Sequence, residues 1–144
     1  MVKTGESAPI IRGEAPKIVT PDGVQFDGRA EEIVVRTTTG DLGILTGHMD
    51  CVAPLGMGKA TIIVDGQRRY GACIGGMLSV LRGAVTLVPT TFEWAENIDE
   101  ARVQRSIDRA REILKNKNND QMQLKLAEAR LKRALIRQNV PSHK

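Results

Sequence analysis

An all-β head followed by an antiparallel α-helical hairpin is the fold this sequence predicts, and three observations predict it. From Ala15 to Glu96 the chain is a series of short segments rich in Val, Ile and Thr, with turn residues recurring at about every 8–12 positions. At Asn97 the texture changes, and apolar residues return at helical spacing instead. A polar break, LKNKNND, then divides that helical text in two, and a short loop between helices makes them antiparallel neighbours. The 144 residues suffice for one small domain and an appendage: an N-terminal arm over 1–14, a β-sandwich domain over 15–96 and a helical hairpin over 97–144.

The arm, MVKTGESAPIIRGE, is polar, carries Gly and Pro and has no period, so we read it as flexible and outside the fold. Strand text follows as KIVTP, QFDG, EIVVRTTT, DCVAPL, ATIIVDG, RRYGACIGG, MLSVLRG and AVTLVPTTF. Pro21-Asp22-Gly23 is a turn in which Pro sets φ and Gly supplies a positive φ. Asp65-Gly66 is a two-residue hairpin signal, and Arg82-Gly83 turns the next hairpin. Gly75-Gly76 marks a bulge or a close approach of two backbones. Several strands are apolar on both faces, which calls for two packed sheets. The stretch GDLGILTGHMD reads as a glycine-punctuated loop holding His48.

Asn97 with Glu100 resembles a capping box, opening a first helix from about Ile98 to Lys115. Val103, Ile107, Ala110 and Leu114 lie on one face of it. Asp120 with Gln123 caps a second helix running to about Asn139, with Leu124, Ala127, Leu131 and Ala134 on one face and Pro141 beyond its end. Both stripes contain Ala. Ala lets helices approach closely but removes little apolar area, whereas a buried Leu is worth about 1.5–3 kcal/mol. The hairpin is therefore expected to hold itself weakly and to be able to change position.

Composition narrows the function. Apolar residues make up 41% of the chain and charged residues 26%, as in a globular protein, while aromatics at 3% leave the core to Val, Ile, Leu and Ala. No apolar run is long enough to span a membrane, and no secretory signal opens the chain. Cys51 and Cys73 sit in strand text and read as buried free thiols. With His48 and His143 far apart they offer no metal-ligand spacing. The net charge of +4 is uneven: residues 99–144 carry 12 basic and 6 acidic side chains, net +6, and the rest carries 9 and 11, net −2. An acidic partner for the C-terminal part follows.

Reactive constellations are missing. GMGKAT lacks the first Gly and the Ser or Thr of a phosphate loop, with Ala53 and Ala60 at those places, and no nucleophile elbow or Cys-x-x-Cys occurs. Asp99 and Asp108 lie among basic residues and read as ion-paired or solvated. Nucleic-acid binding lacks support, because no aromatics interleave the basic residues. The hairpin arginines are more informative. Arg102 and Arg109 are seven apart, Arg133 and Arg137 four apart, so each pair shares a helix face. Antiparallel pairing brings the pairs together, either as a solvated basic face or as a site for an anion.

IVTPDGVQFDG, GDLGILTGH, the run GACIGGMLSVLRGAVTLV and the two Ala-rich helices occur in order. Together they resemble the epsilon subunit of bacterial F-type ATP synthase over about Ala15 to Val140. The departures are Thr46 in place of a Pro in the GILPGH-like loop and a longer N-terminal arm. The resemblance implies a sandwich of about ten strands and a non-catalytic subunit on the central stalk. It would sit peripherally on the cytoplasmic face of the cell membrane without inserting, with gamma, the c-ring and the alpha and beta subunits as partners. Asp41 and His48 correspond to the c-ring-facing segment. The hairpin corresponds to the element that, extended, blocks ATP hydrolysis, its basic second helix (Arg130, Lys132, Arg133, Arg137) meeting the beta subunit.

Some such subunits bind ATP on the folded-back hairpin through Ile/Leu-Asp-x-x-Arg-Ala and further arginines. Here Ile98, Asp99 and Arg102 match, with Val103 in place of the Ala. Arg109, Arg133 and Arg137 match the later arginines, and Glu93 the upstream acid. The resemblance thus implies ATP as a regulatory ligand and no catalytic cofactor. The alternative is a structural coupling subunit that ignores nucleotide.

Overall fold

The computed structural model describes residues 16–45, 48–116 and 118–140. The flexible-arm reading of 1–14 falls outside them, as do Thr46 and Gly47 of the glycine-punctuated stretch. Ten strands form: β1 (Lys17–Thr20), β2 (Gly23–Asp27), β3 (Glu32–Thr37), β4 (Gly40–Ile44), β5 (Cys51–Pro54), β6 (Met57–Val64), β7 (Gln67–Ile74), β8 (Met77–Leu81), β9 (Ala84–Val88) and β10 (Thr91–Trp94). They build two five-stranded sheets, ordered β2-β1-β9-β8-β5 and β10-β7-β6-β3-β4. After a 3₁₀ turn at Ala95–Asn97 come helices α1 (Glu100–Lys115) and α2 (Gln121–Asn139). The sandwich and hairpin read from the sequence are both present.

Side chains alternating along each strand make the sandwich. Leu78 and Val80 of β8 and Val85 and Leu87 of β9 point inward, meeting Ile33, Val35, Ala60 and Ile62 of the facing sheet in one apolar core. Trp94 joins this core, edge-on to Phe92 and Phe26, with its indole N–H donated to the Gln25 carbonyl. Asp65 and Gly66 take φ of 52° and 76°, and Arg82 and Gly83 take 51° and 83°, so both two-residue hairpin turns have the primed geometry that suits twisted strands. Gly75 and Gly76 close the passage from β7 to β8. A Cβ on Gly76 would collide with the Val88 carbonyl oxygen, so the doubled glycine serves a close backbone approach.

Three local expectations are corrected. GDLGI is strand β4 rather than loop: Leu42 and Ile44 face in, Asp41 and Gly43 face out, and Gly40 to Ile44 pair with Thr37 to Ile33. Its two glycines mask an alternation that neighbouring strands complete. AVTLVPTTF is two strands, because Pro89-Thr90 carries the chain from one sheet to the other. Asn97 does not cap α1. It ends the 3₁₀ turn, Ile98 is extended, and the Asp99 carboxylate accepts the Arg102 N–H at 3.1 Å. Ile98, just before the cap, packs in one cluster with Val103, which fixes the entry of the chain into the helix. Asp120 caps α2 as expected, accepting the Gln123 N–H at 2.7 Å.

Val103, Ile107 and Ala134 form the buried seam between the helices, with Leu131 and Leu135 against it and Ala110 and Ala127 also buried. Gln138 of α2 donates to Gln104 of α1 at 3.1 Å, as antiparallel neighbours can. The hairpin lies on the outer face of the sheet β10-β7-β6-β3-β4. Ile136 and Val140, at the end of α2, pack on Tyr70, Ala72 and Ala95.

Candidate functional site

The seam between the helices opens into a groove that begins at the sandwich. Glu93 is on the outer face of β10, opposite Ala72 of β7. Its carboxylate accepts from Nε of Arg137 at 3.0 Å, so one ion pair ties the end of α2 to the sheet. Around this pair lies a cleft of about 300 Å³, with Asp99, Arg102 and Ser106 on the α1 side and Arg137 on the α2 side. Ser106, Ala134 and Arg137 also line a second cleft of about 330 Å³ further along the helices, so the two are continuous. The second is walled by Arg109, Arg130 and Arg133 over a floor that includes Ala110 and Ala127. Alanine at 127 and 134 lets α1 and α2 approach while leaving this space open.

The charge along the groove is graded. The end near the sandwich holds two carboxylates and two guanidiniums. The far end is lined by Arg109, Arg130, Arg133 and Arg137 and by no carboxylate. Guanidiniums bind phosphate oxygens in fork geometry, and close like charges repel until an anion lies between them. On the core side of β10, opposite the face that carries Glu93, Arg69 stacks over the Trp94 ring at 3.6 Å and reaches Glu96 at 2.7 Å. Partial burial pushes the Glu96 carboxyl up, but the Arg69 hydrogen bond and charge, with a backbone hydrogen bond, outweigh it and hold the group below its ordinary range.

Six of the seven residues picked out for ATP thus converge: Glu93, Asp99, Arg102, Arg109, Arg133 and Arg137. Ile98 does not line this groove. Its side chain is turned into a neighbouring depression with Ala95, Val103 and Val140. Three polar groove residues lie outside that set, namely Asn97, Ser106 and Arg130. Ser106 lies four residues after Arg102 and three before Arg109, so helical spacing places it between them, but it carries no charge to draw notice. Arg130, picked out only for a contact with a beta subunit, stands in the basic end, whereas Lys132 lines neither cleft. Elsewhere, Asp41 is exposed on β4 and paired with Nε of Arg36 at 3.0 Å. His48 is half-buried after β4, with Nδ1 2.8 Å from the Met49 carbonyl oxygen.

The family model for the beta-sandwich domain of the ATP synthase Delta/Epsilon chain matches residues 16–95, and the model for its long alpha-helix domain matches residues 96–140. The chain belongs to the ATP synthase delta/epsilon family. It is accordingly a non-catalytic subunit, as the lack of a reactive constellation led us to expect. The ATP synthase epsilon chain of Bacillus velezensis is 42% identical over 123 residues, covering 85% of this chain and 92% of its own length. That of Caldanaerobacter subterraneus subsp. tengcongensis is 40% identical over 127 residues, covering 88% and 91%. A chain in the cryo-EM structure of Euglena gracilis mitochondrial ATP synthase (OSCP/F1/c-ring) shares the fold of this epsilon-type subunit. Its TM-score is 0.73 at 20% identity, with 90% of this chain and 80% of that one covered.

Proposed function

We propose that this subunit couples the rotor of the synthase and restrains ATP hydrolysis through its C-terminal hairpin, with ATP in the interhelical groove favouring the folded-back placement. The observation that carries the reading is the convergence of Glu93, Asp99, Arg102, Arg109, Arg133 and Arg137 on one groove joining both helices to the sandwich. A polyanion there neutralises Arg102, Arg109 and Arg133, which form no salt bridge among the described residues, and it bridges α1 and α2 beside the Arg137–Glu93 tie to β10. A ligand that binds one placement and not the other shifts the balance by its differential affinity, about 2.7 kcal/mol at one hundred times Kd.

The attachment of the hairpin is small enough to be biased by this amount. Among the described residues, Ile136, Val140 and the Arg137–Glu93 pair hold the end of α2 to the sheet, and the pair is partly exposed. In the extended placement Arg130, Lys132, Arg133 and Arg137 are free to meet an acidic surface of the beta subunit. Three of the four line the groove, so nucleotide and beta subunit compete for the same side chains.

The rest of the molecule fits a subunit of the central stalk. The outer face of the sheet β2-β1-β9-β8-β5 leaves Val24, Val52, Met77, Leu81 and Val88 exposed on the side away from the hairpin, an apolar face suited to gamma. Asp41 on β4 and His48 in the loop after it belong to the segment that would face the c-ring. A Tetrahymena thermophila mitochondrial assembly described as central stalk/c-ring holds a chain of this fold, with a TM-score of 0.55 at 14% identity and 91% of this chain and 96% of that one covered. A peripheral place on the cytoplasmic face is part of the same proposal, and among the described residues no helix is long and apolar enough to cross a membrane.

Isothermal titration of ATP into the purified chain tests the nucleotide reading. We expect saturable heat that Arg102→Ala and Arg137→Ala each weaken at least tenfold, with the melting of the sandwich unchanged. No heat at millimolar ATP would leave a coupling subunit indifferent to nucleotide.

A further inference from the structure

We infer that Arg130 reads the terminal phosphate of the bound nucleotide and so sets the preference for a triphosphate over a diphosphate, an inference that rests on the nucleotide reading above. The groove has a direction. Glu93 and Asp99 stand at its sandwich end and repel phosphate, so the phosphate chain must run toward the acid-free end. On α2 the guanidiniums follow in the order Arg137, Arg133, Arg130 away from Glu93. Arg137 and Arg130 are seven residues apart, two helical turns, or about 10.5 Å along the axis. Arg130 is therefore the last cation on that wall, and only the longest phosphate chain extends to it.

Its surroundings suit the role. Arg130 lies on the rim where the second cleft meets a shallower one with Ile113, Asn119 and Gln123, and it shares the first of these with Arg109 and Arg133. Among the described residues no carboxylate forms a salt bridge with it, which leaves its fork free for a phosphate oxygen. Arg102 and Arg137, nearer the acids, are left to the phosphates that ATP and ADP have in common.

The test is titration of ATP and of ADP into the full chain and into Arg130→Gln. The isolated chain carries no beta subunit, so any effect belongs to the groove. We expect Arg130→Gln to weaken ATP about tenfold and to leave ADP within about twofold. Equal weakening of both nucleotides, or no change for ATP, overturns the inference while leaving the nucleotide reading standing. If the wild-type chain binds neither nucleotide, both fall together. Should Arg130→Gln fail to fold, Arg130→Lys keeps the charge but not the planar fork and must still narrow the ratio of ATP to ADP affinity. An unchanged ratio in that variant also overturns the inference.

Discussion

Cys73 illustrates how far one buried side chain couples this fold to its solvent. It faces the core from β7, and burial pushes its thiol up to about 12 from an ordinary 9.0. The unfolded chain loses this proton above pH 9, while the folded chain keeps it to about 12. Stability from this group is therefore complete below pH 9 and falls between 9 and 12, by about 1.4 kcal/mol per pH unit at most. Urea unfolding from pH 8 to 11 should show a steeper decline for wild type than for Cys73→Ala, and parallel declines would refute it. Residue by residue, the groove was largely legible. Arginines seven and four apart share a face whatever surrounds them, because helical periodicity alone decides it. Ile98 escaped this rule because it precedes the Asp99 cap, where the chain is extended and packing against Val103 sets the direction of the side chain.

Whole elements were harder to read where glycine and proline act through partners distant in the chain. β4 hid behind Gly40 and Gly43, and only its pairing with β3 makes it a strand. The break between β9 and β10 at Pro89-Thr90 is a change of sheet, a tertiary event that no local pattern encodes. The turns were legible, since Asp65-Gly66 and Arg82-Gly83 carry their conformation in their own backbone preferences. Two glycine substitutions separate the kinds of constraint. Gly66 has a φ of 76° with open space around its Cβ position, so Gly66→Ala should cost only the left-handed penalty, about 1–2 kcal/mol. Gly76 adds to a φ of 95° a Cβ that would stand 2.6 Å from the Pro89 Cα, in backbone that cannot give way as a flexible side chain can. Gly76→Ala should cost about 3 kcal/mol or more, by adding overpacking to strain. Denaturant midpoints of the two variants should differ accordingly, and equal midpoints would show that the two backbones separate freely.

For the molecule as a whole, the sequence announces two parts and an uneven charge but not where one part rests on the other. Tyr70, Ala72 and Glu93 look like any outward residues of a sheet until α2 is seen above them. In the assembled complex, removing the chain from Asn97 onward should raise ATP hydrolysis several-fold while the truncated subunit still assembles. Hydrolysis unchanged from the intact complex would remove the inhibitory role. Within that design the placing of Trp94 has a practical consequence. It is the lone indole of the chain, it sits beneath the Arg69 guanidinium, and the 3₁₀ turn leading to the hairpin starts at the very next residue. Displacing the tail should therefore disturb the Arg69–Trp94 stack at its root and shift the indole emission, and a spectrum unchanged by removal of residues 98–144 would refute this. The protein thus carries its own optical gauge, and its emission colour should report tail position in real time without any attached dye.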